Sequence, residues 1–160
     1  SGNDGKPKAR QEEDGRFEII LADGAEYVVD HPLSTDILMV DGFHDGCQIA
    51  ALCSQEFYNR AHQTLREDGI LVVNLLSRDK SLNIYLQRIK DSFQGHVIAM
   101  MSEVRGNLIV FAFKQSPGKL TWKVLKTRAK KLEETYGLPF SDFVSKLRKY
   151  NAGHGSYLEI

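Results

Sequence analysis

The chain has 160 residues, no net formal charge at neutral pH and a hydrophobic fraction of 42%. This length and composition indicate one globular domain with a packed core, and they argue against a disordered or membrane-spanning chain. Cys47 and Cys53 have no second pair and no histidine at ligand spacing, so we expect neither a disulfide framework nor a metal site and assign them to packing. The N-terminus lacks a signal-peptide pattern, so a cytoplasmic location is expected.

Charge is distributed unevenly along the chain. Residues 1–113 carry 11 basic and 17 acidic side chains, a net charge of −6, whereas residues 114–150 carry 10 basic and 3 acidic ones, a net charge of +7. The acidic part would attract a polycationic substrate. Lysine and arginine on amphipathic helices more often form a solvated face than a nucleic-acid surface, so we expect no nucleic-acid or membrane partner.

The N-terminal two thirds of the chain predict an α/β domain. Residues 1–16 are rich in glycine and charge and are expected to form a flexible lead-in. Near-continuous apolar runs then predict three strands buried on both faces: Phe17–Ala22, Asp36–Val40 and Ile70–Leu76. Ser54 is a candidate N-cap for a helix that extends to about Glu67 and is closed by Asp68-Gly69.

The pattern changes after the third of these strands. A second helix is predicted by apolar residues that recur at helical spacing: Leu82, Leu86, Ile89 and Phe93. Both helices are expected to cross between parallel strands. Val97–Met101 and Asn107–Phe113 then predict an antiparallel hairpin at the sheet edge. Residues 17–114 therefore form the predicted domain.

Residues 115–160 predict a C-terminal helical extension. Thr121 is a candidate cap for a first helix, and a second helix is predicted to follow Pro139. The residues after Asn151 are expected to fray.

Polar residues that follow buried strands are the first candidates for chemistry, because ligands of open parallel sheets bind at the carboxyl ends of the strands. Asp23 and Gly24 follow the first predicted strand. The carboxylate could accept a hydrogen bond from an exocyclic amine, while the glycine lets a flat ring approach the backbone. An Asp-Gly turn or a helix cap explains the same residues equally well.

The second predicted strand ends in a loop with two carboxylates and an imidazole, which belong to Asp41, His44 and Asp45. A partly desolvated carboxylate near another negative group can act as a general base and take a proton from an attacking amine. Alternatively, Asp41 caps the following segment and His44 is solvated. Asn74 and Glu103 are expected at the same rim of the sheet.

Five stretches, in this order and at these spacings, resemble the second half of the spermidine synthase family, the polyamine aminopropyltransferases. They are Ala22–Tyr27, Asp36–Asp41, Gln55–Tyr58, Leu65–Asn74 and Gly106–Phe111. The resemblance implies a Rossmann-like class I S-adenosylmethionine-dependent methyltransferase fold that is incomplete. The first strands, with the glycine-rich cofactor motif, have no counterpart in this chain.

The resemblance also implies roles for individual residues. Asp23 and Gly24 would hold the adenine of decarboxylated S-adenosylmethionine, and Asp41 would accept a proton from the amine nucleophile. The acceptor side would be lined by the other loop and hairpin residues: His44, Asp45 and Glu103. The family transfers an aminopropyl group to a polyamine without a metal. His44 replaces an aspartate of the usual family loop, and Asp45 lies one position late.

Three functions follow as alternatives. The first is a spermidine synthase-like transferase, of which this chain is a fragment that is inactive alone. The second is a methyltransferase that uses S-adenosylmethionine on a small molecule. The third is a noncatalytic binding or assembly fragment. We expect a homo-oligomer, such as a dimer, or association with the absent N-terminal half.

Overall fold

The computed structural model describes residues 10–11, 15–44, 47–103, 106–151 and 155–160. The strands of these ranges are β1 (Arg10–Gln11), β2 (Glu18–Ile19), β3 (Thr35–Val40), β4 (Phe43–His44), β5 (Cys47–Gln48), β6 (Leu65–Leu76), β7 (Val97–Met101), β8 (Asn107–Phe113), β9 (Lys119–Thr121) and β10 (Tyr157–Glu159). The helices are α1 (Gly24–Tyr27), α2 (Gln55–Thr64), α3 (Leu82–Ser92), α4 (Trp122–Tyr136) and α5 (Phe140–Tyr150), with a 3-10 turn at Ala50–Cys53.

The central sheet has four strands in the order β3-β6-β8-β7. β3 is parallel to β6, and β8 is antiparallel to both of its neighbours. The predicted crossover by α2 and the predicted hairpin of β7 and β8 are therefore confirmed. α3 also joins strands that run in the same direction, but β8 lies between them. The carboxyl ends of β3, β6 and β7 meet at one edge of the sheet.

Helices cover both faces of this sheet. Alternate residues of the long strands pack against α2 and α3 on one face: Leu71, Val73, Leu75, Leu108, Val110 and Ala112. On the other face, Ile98 and Phe111 pack against Trp122, Ala129 and Val144 of α4 and α5. The period of two along β8 sends successive side chains to opposite cores, and this is why its sequence is almost continuously apolar.

α2 begins as predicted but ends early. The Ser54 hydroxyl accepts a hydrogen bond from the Phe57 amide at 3.1 Å, so Ser54 is the N-cap. The helix ends at Thr64 rather than near Glu67, because the chain enters β6 at Leu65. Gly69 lies within this strand and does not close the helix.

Two predicted strands are less buried than expected. Only Glu18–Ile19 of the run Phe17–Ala22 is a strand; it pairs with β1 outside the central sheet, and Leu21 is 83% exposed. In β3, Ile37 and Met39 are 60% and 76% exposed. The prediction of burial on both faces is wrong for both runs, because no described strand lies beyond β3 and α4 and α5 pack nearer the β7 edge.

Both ends of the chain depart from expectation where they are described. Within the predicted lead-in, Arg10–Gln11 pairs with β2, whereas residues 1–9 and 12–14 lie outside the described ranges. Near the C-terminus, β10 pairs with β9 and buries Leu158, so the prediction of fraying is wrong for residues 157–159. Thr121 is confirmed as the cap of α4, since its hydroxyl accepts from the Val124 amide.

A substitution at Gly69 tests the packing of β6. An alanine Cβ at this position would lie 2.8 Å from the Arg66 carbonyl oxygen and 2.7 Å from Leu65 Cβ. Neither atom is the free end of a side chain, so the backbone itself must move. Gly69→Ala should lower the free energy of unfolding by about 1–3 kcal/mol in urea denaturation. Asp68→Ala, at the exposed neighbouring position, is the control; equal stability of both variants would contradict the steric argument.

Candidate functional site

The ends of β3 and β6 place two polar side chains next to each other. Val40 pairs with Val73, so Asp41 and Asn74 leave the sheet side by side. Asn74 Nδ2 donates a hydrogen bond to Asp41 Oδ1 at 3.1 Å. Asn74 Oδ1 is buried and has no hydrogen-bond partner among the described residues. The Asp41 carboxylate is therefore oriented by Asn74 and remains an acceptor for a ligand that donates hydrogen bonds.

Gln48 ties the loop after β3 to the end of β6. Its Nε2 lies 3.3 Å from the Gly42 carbonyl oxygen and 3.2 Å from the Asn74 carbonyl oxygen, and its Oε1 accepts from the Leu76 amide at 3.1 Å. The Ile49 amide also donates to the Gly42 carbonyl at 3.0 Å. Both polar ends of one side chain therefore fix the backbone that leads out of Asp41.

Gly42 is buried beneath this loop. A Cβ at Gly42 would lie 2.6 Å from Leu52 Cδ1, closer than two unbonded carbons normally approach. The missing side chain therefore lets the loop pack directly on the 3-10 turn. This contact and the Gln48 amide hold the segment after Asp41 from two sides.

A cavity of about 330 Å³ opens between α1, the 3-10 turn and the unpaired edge of β3. It is lined mainly by apolar side chains, together with Glu18 and Asp41: Ile20, Ala22, Gly24, Tyr27, Val28, Leu38, Met39, Val40, Leu52 and Phe57. This volume lies at the small end of the range for ligand sites, and apolar walls with few polar groups are typical of such sites. The lining suits a flat, largely apolar group such as a purine ring.

Asp23 is the N-cap of α1. Its Oδ1 accepts hydrogen bonds from the amides of Ala25 at 2.8 Å and Glu26 at 3.3 Å. Ala22 and Gly24, on either side of Asp23, line the cavity together with Asp41. The segments around Asp23 and Asp41 therefore meet at one cavity. The Asp23 segment reaches it at the start of the short helix α1 and not at the end of a strand of the central sheet.

Glu103 is not among the residues that line this cavity. Glu103 follows β7 and forms an ion pair with Lys146 of α5 at 3.2 Å. Three strand spacings of about 4.8 Å, or roughly 14 Å, separate β7 from β3. His44 forms the end of β4 and pairs with Cys47 through the backbone, and Asp45 lies outside the described residues.

Among the described residues we find no metal-binding cluster and no reactive cysteine. No group of three or more histidine, cysteine, aspartate or glutamate side chains in the described ranges could hold a metal ion. Cys53 is free and 1% exposed, and burial raises the pKa of its thiol, as expected of a packing residue. In the part of the chain that the structure describes, none of the helices has the length and apolar character needed to cross a membrane.

Comparison with known proteins places the chain in a family. A profile of the spermine/spermidine synthase domain matches residues 6–120. The chain is 42% identical over 147 residues to the polyamine aminopropyltransferase of Chromobacterium violaceum, covering 89% of this chain and 56% of that protein. Identity to the Neisseria meningitidis serogroup A enzyme is 39%, covering 91% and 55%. The chain belongs to the spermine/spermidine synthase family and spans about half the length of these relatives.

Solved structures support the same fold class. The spermidine synthase of Thermotoga maritima matches with 27% identity and a TM-score of 0.51, over 64% of this chain and 37% of that one. Human methyltransferase-like protein 13 in complex with SAH matches with 26% identity and a TM-score of 0.68, over 81% and 63%. The predicted class I methyltransferase fold with an incomplete sheet is therefore confirmed.

The bridge formed by Gln48 can be tested directly. Gln48→Ala removes an acceptor from the Leu76 amide and a donor from two carbonyls, so local opening at the ends of β3 and β6 should become easier by about 1–3 kcal/mol. Amide hydrogen exchange of Leu76 and Ile49 measures this opening.

The matched control is Gln55→Ala. Gln55 also bridges two elements, since its Nε2 donates to the Arg88 carbonyl and to Ser92 Oγ between α2 and α3. That variant should leave the exchange of Leu76 unchanged. If Gln48→Ala also leaves it unchanged, the bridge does not hold the loop.

Proposed function

We propose that this chain is the C-terminal half of an aminopropyltransferase domain, with the amine-acceptor residues and part of the adenine contact. In the complete protein, the enzyme transfers an aminopropyl group from decarboxylated S-adenosylmethionine to the amine of a polyamine. Asp41 is the group that accepts the proton which the attacking amine loses. Asp23 and Gly24 contact the adenine, and the acceptor side includes three further residues: His44, Asp45 and Glu103.

One observation supports this proposal above the others: the Gly24 segment and Asp41 line the same cavity. The donor's adenine and the amine nucleophile must lie close together, because alignment of the two reactants supplies most of the rate enhancement in such a transfer. Apolar walls near Gly24 suit the ring, and the Asp41 carboxylate suits the amine. The Asn74 amide donates to one Asp41 oxygen and so orients the carboxylate.

The family relatives support the substrate class. The matched proteins of Chromobacterium and Neisseria are polyamine aminopropyltransferases, and a solved spermidine synthase that matches with a TM-score of 0.53 is in complex with the transition-state analogue AdoDATO. A donor of the S-adenosyl type is therefore part of the proposal. The negative charge of residues 1–113 would attract a polycationic acceptor.

We expect the 160-residue chain to have no turnover alone. The cavity is bordered by the unpaired edge of β3, where Ile37 and Met39 are exposed, and the described residues offer no glycine-rich cradle for the donor. The test supplies the segment of the Chromobacterium enzyme that this chain does not match, fused upstream, and measures methylthioadenosine from decarboxylated S-adenosylmethionine and putrescine. Turnover by the chain alone would contradict the expectation, and no turnover by the fusion would count against the proposed function.

Asp41→Asn in that fusion should lower kcat by roughly a hundredfold or more, because the amide cannot accept the proton. The loss should be smaller at high pH, where more of the amine is already unprotonated. The matched control is Asp36→Asn at the other end of β3, where the carboxylate is exposed and pairs with Arg66 at 2.9 Å. If both variants keep the parent rate, proton acceptance by Asp41 is refuted.

A methyltransferase is the second candidate. The likeness to human methyltransferase-like protein 13, at a TM-score of 0.68, is higher than that to the spermidine synthases. The two functions differ in their products. Formation of S-adenosylhomocysteine from S-adenosylmethionine, without methylthioadenosine from the decarboxylated donor, would favour the methyltransferase.

A further inference from the structure

A second concave site lies away from the cavity at β3, in a groove between α4 and α5. Its volume is about 430 Å³, within the range of small-molecule sites. The groove is lined by four cations, one hydroxyl and one indole: Lys123, Lys126, Lys130, Arg148, Thr127 and Trp122. No carboxylate of the described residues lines it. We refer to these six residues as the α4–α5 groove.

The four cations of the α4–α5 groove have no ion-pair partner among the described residues. Elsewhere in those residues, Arg60, Arg66 and Lys146 each pair with a carboxylate. The Arg148 guanidinium instead lies 5.9 Å from the Trp122 ring centre, and the buried indole orients it toward the groove. The positive charge of the groove is therefore not neutralised within the described structure.

The position of the lysines on α4 adds to this positive potential. Lys123, Lys126 and Lys130 lie three and four residues apart, so they share one helix face over about 10 Å. Lys123 lies in the first turn of the helix, where the backbone dipole is positive, and that turn contains no acidic residue. Like charges three and four residues apart destabilise the helix, and a bound anion would remove that cost.

We propose that the α4–α5 groove binds a compact anion with several phosphate groups, such as a triphosphate chain. Ammonium groups and a guanidinium fork are the side-chain donors that recognise phosphate oxygens. A row of three lysines faced by an arginine matches a short chain of phosphates better than it matches a single carboxylate. Inorganic triphosphate and the triphosphate of a nucleotide present the same groups, and the titrations below distinguish these two sources.

A nucleic-acid strand fits the groove less well. Proteins that bind single strands stack bases on exposed aromatic rings, whereas Trp122 is 3% exposed. The groove lining has no other aromatic side chain. The groove therefore offers charge-assisted contacts to phosphate groups but no stacking contacts to bases. Its concave shape limits how many phosphate groups can bind at once.

Calorimetric titration of the 160-residue chain with inorganic triphosphate at low salt tests the proposal. Lys126→Gln combined with Lys130→Gln should weaken binding by roughly tenfold or more, because two charge-assisted contacts to phosphate are lost. Lys131→Gln combined with Lys149→Gln removes the same charge outside the groove and should change the affinity by less than about twofold. Glutamine keeps high helix propensity, and circular dichroism checks that both variants fold.

The other outcomes are also decisive. No binding at about 1 mM triphosphate, or equal loss in both double variants, would overturn the site. ATP that binds more tightly than triphosphate, and depends on the same lysines, would support it and identify a nucleotide as the source. An oligonucleotide that binds more tightly than either would overturn the compact ligand in favour of a nucleic-acid surface. None of these measurements depends on aminopropyl transfer.

Discussion

The candidate site depends on the parallel pairing of β3 with β6. Because Val40 pairs with Val73, the next residues of both strands, Asp41 and Asn74, meet at the carboxyl edge of the sheet. A shift of one residue would turn Leu38 and Val40 of β3 away from the core that they pack against. α2 maintains it, because the helix is capped by Ser54 and packs Tyr58 into the core beneath both strands.

The open edge of β3 also explains why we propose activity for the complete protein and not for the 160-residue chain alone. Among the described strands β3 pairs with β6 alone, so its other edge has no strand partner there, and the side chains of Ile37 and Met39 are exposed beside it. Exposed apolar edges of this kind favour pairing with a further strand. The apolar walls of the cavity end at this edge, so a donor nucleoside would be enclosed on one side alone. Aligned transfer requires that both reactants be held, which is why we place activity in the complete protein.

Elements that depend on interactions between residues close in the sequence could be predicted from the sequence. Ser54 and Thr121 are caps because each hydroxyl accepts a hydrogen bond from the amide three residues later. The two apolar runs of the hairpin also match the bounds of its strands. The run Phe17–Ala22 is also apolar, but in the described structure its large apolar side chains stay exposed, so composition alone overstates its burial. Gln48 could not be found from a motif, since its three partners lie 6, 26 and 28 residues away. Only the folded chain brings these atoms together.

The net charge of zero conceals two regions with opposite preferences. At the end of β3, the Asp41 carboxylate presents acceptor atoms, which favour a cationic amine. Between α4 and α5, lysines and Arg148 present donors, which favour an anion. At physiological salt the screening length is about 8 Å, shorter than the roughly 14 Å between the outer strands of the sheet. In both proposals the ligand is therefore selected by the charges nearest to it, and the net charge of the whole chain decides neither.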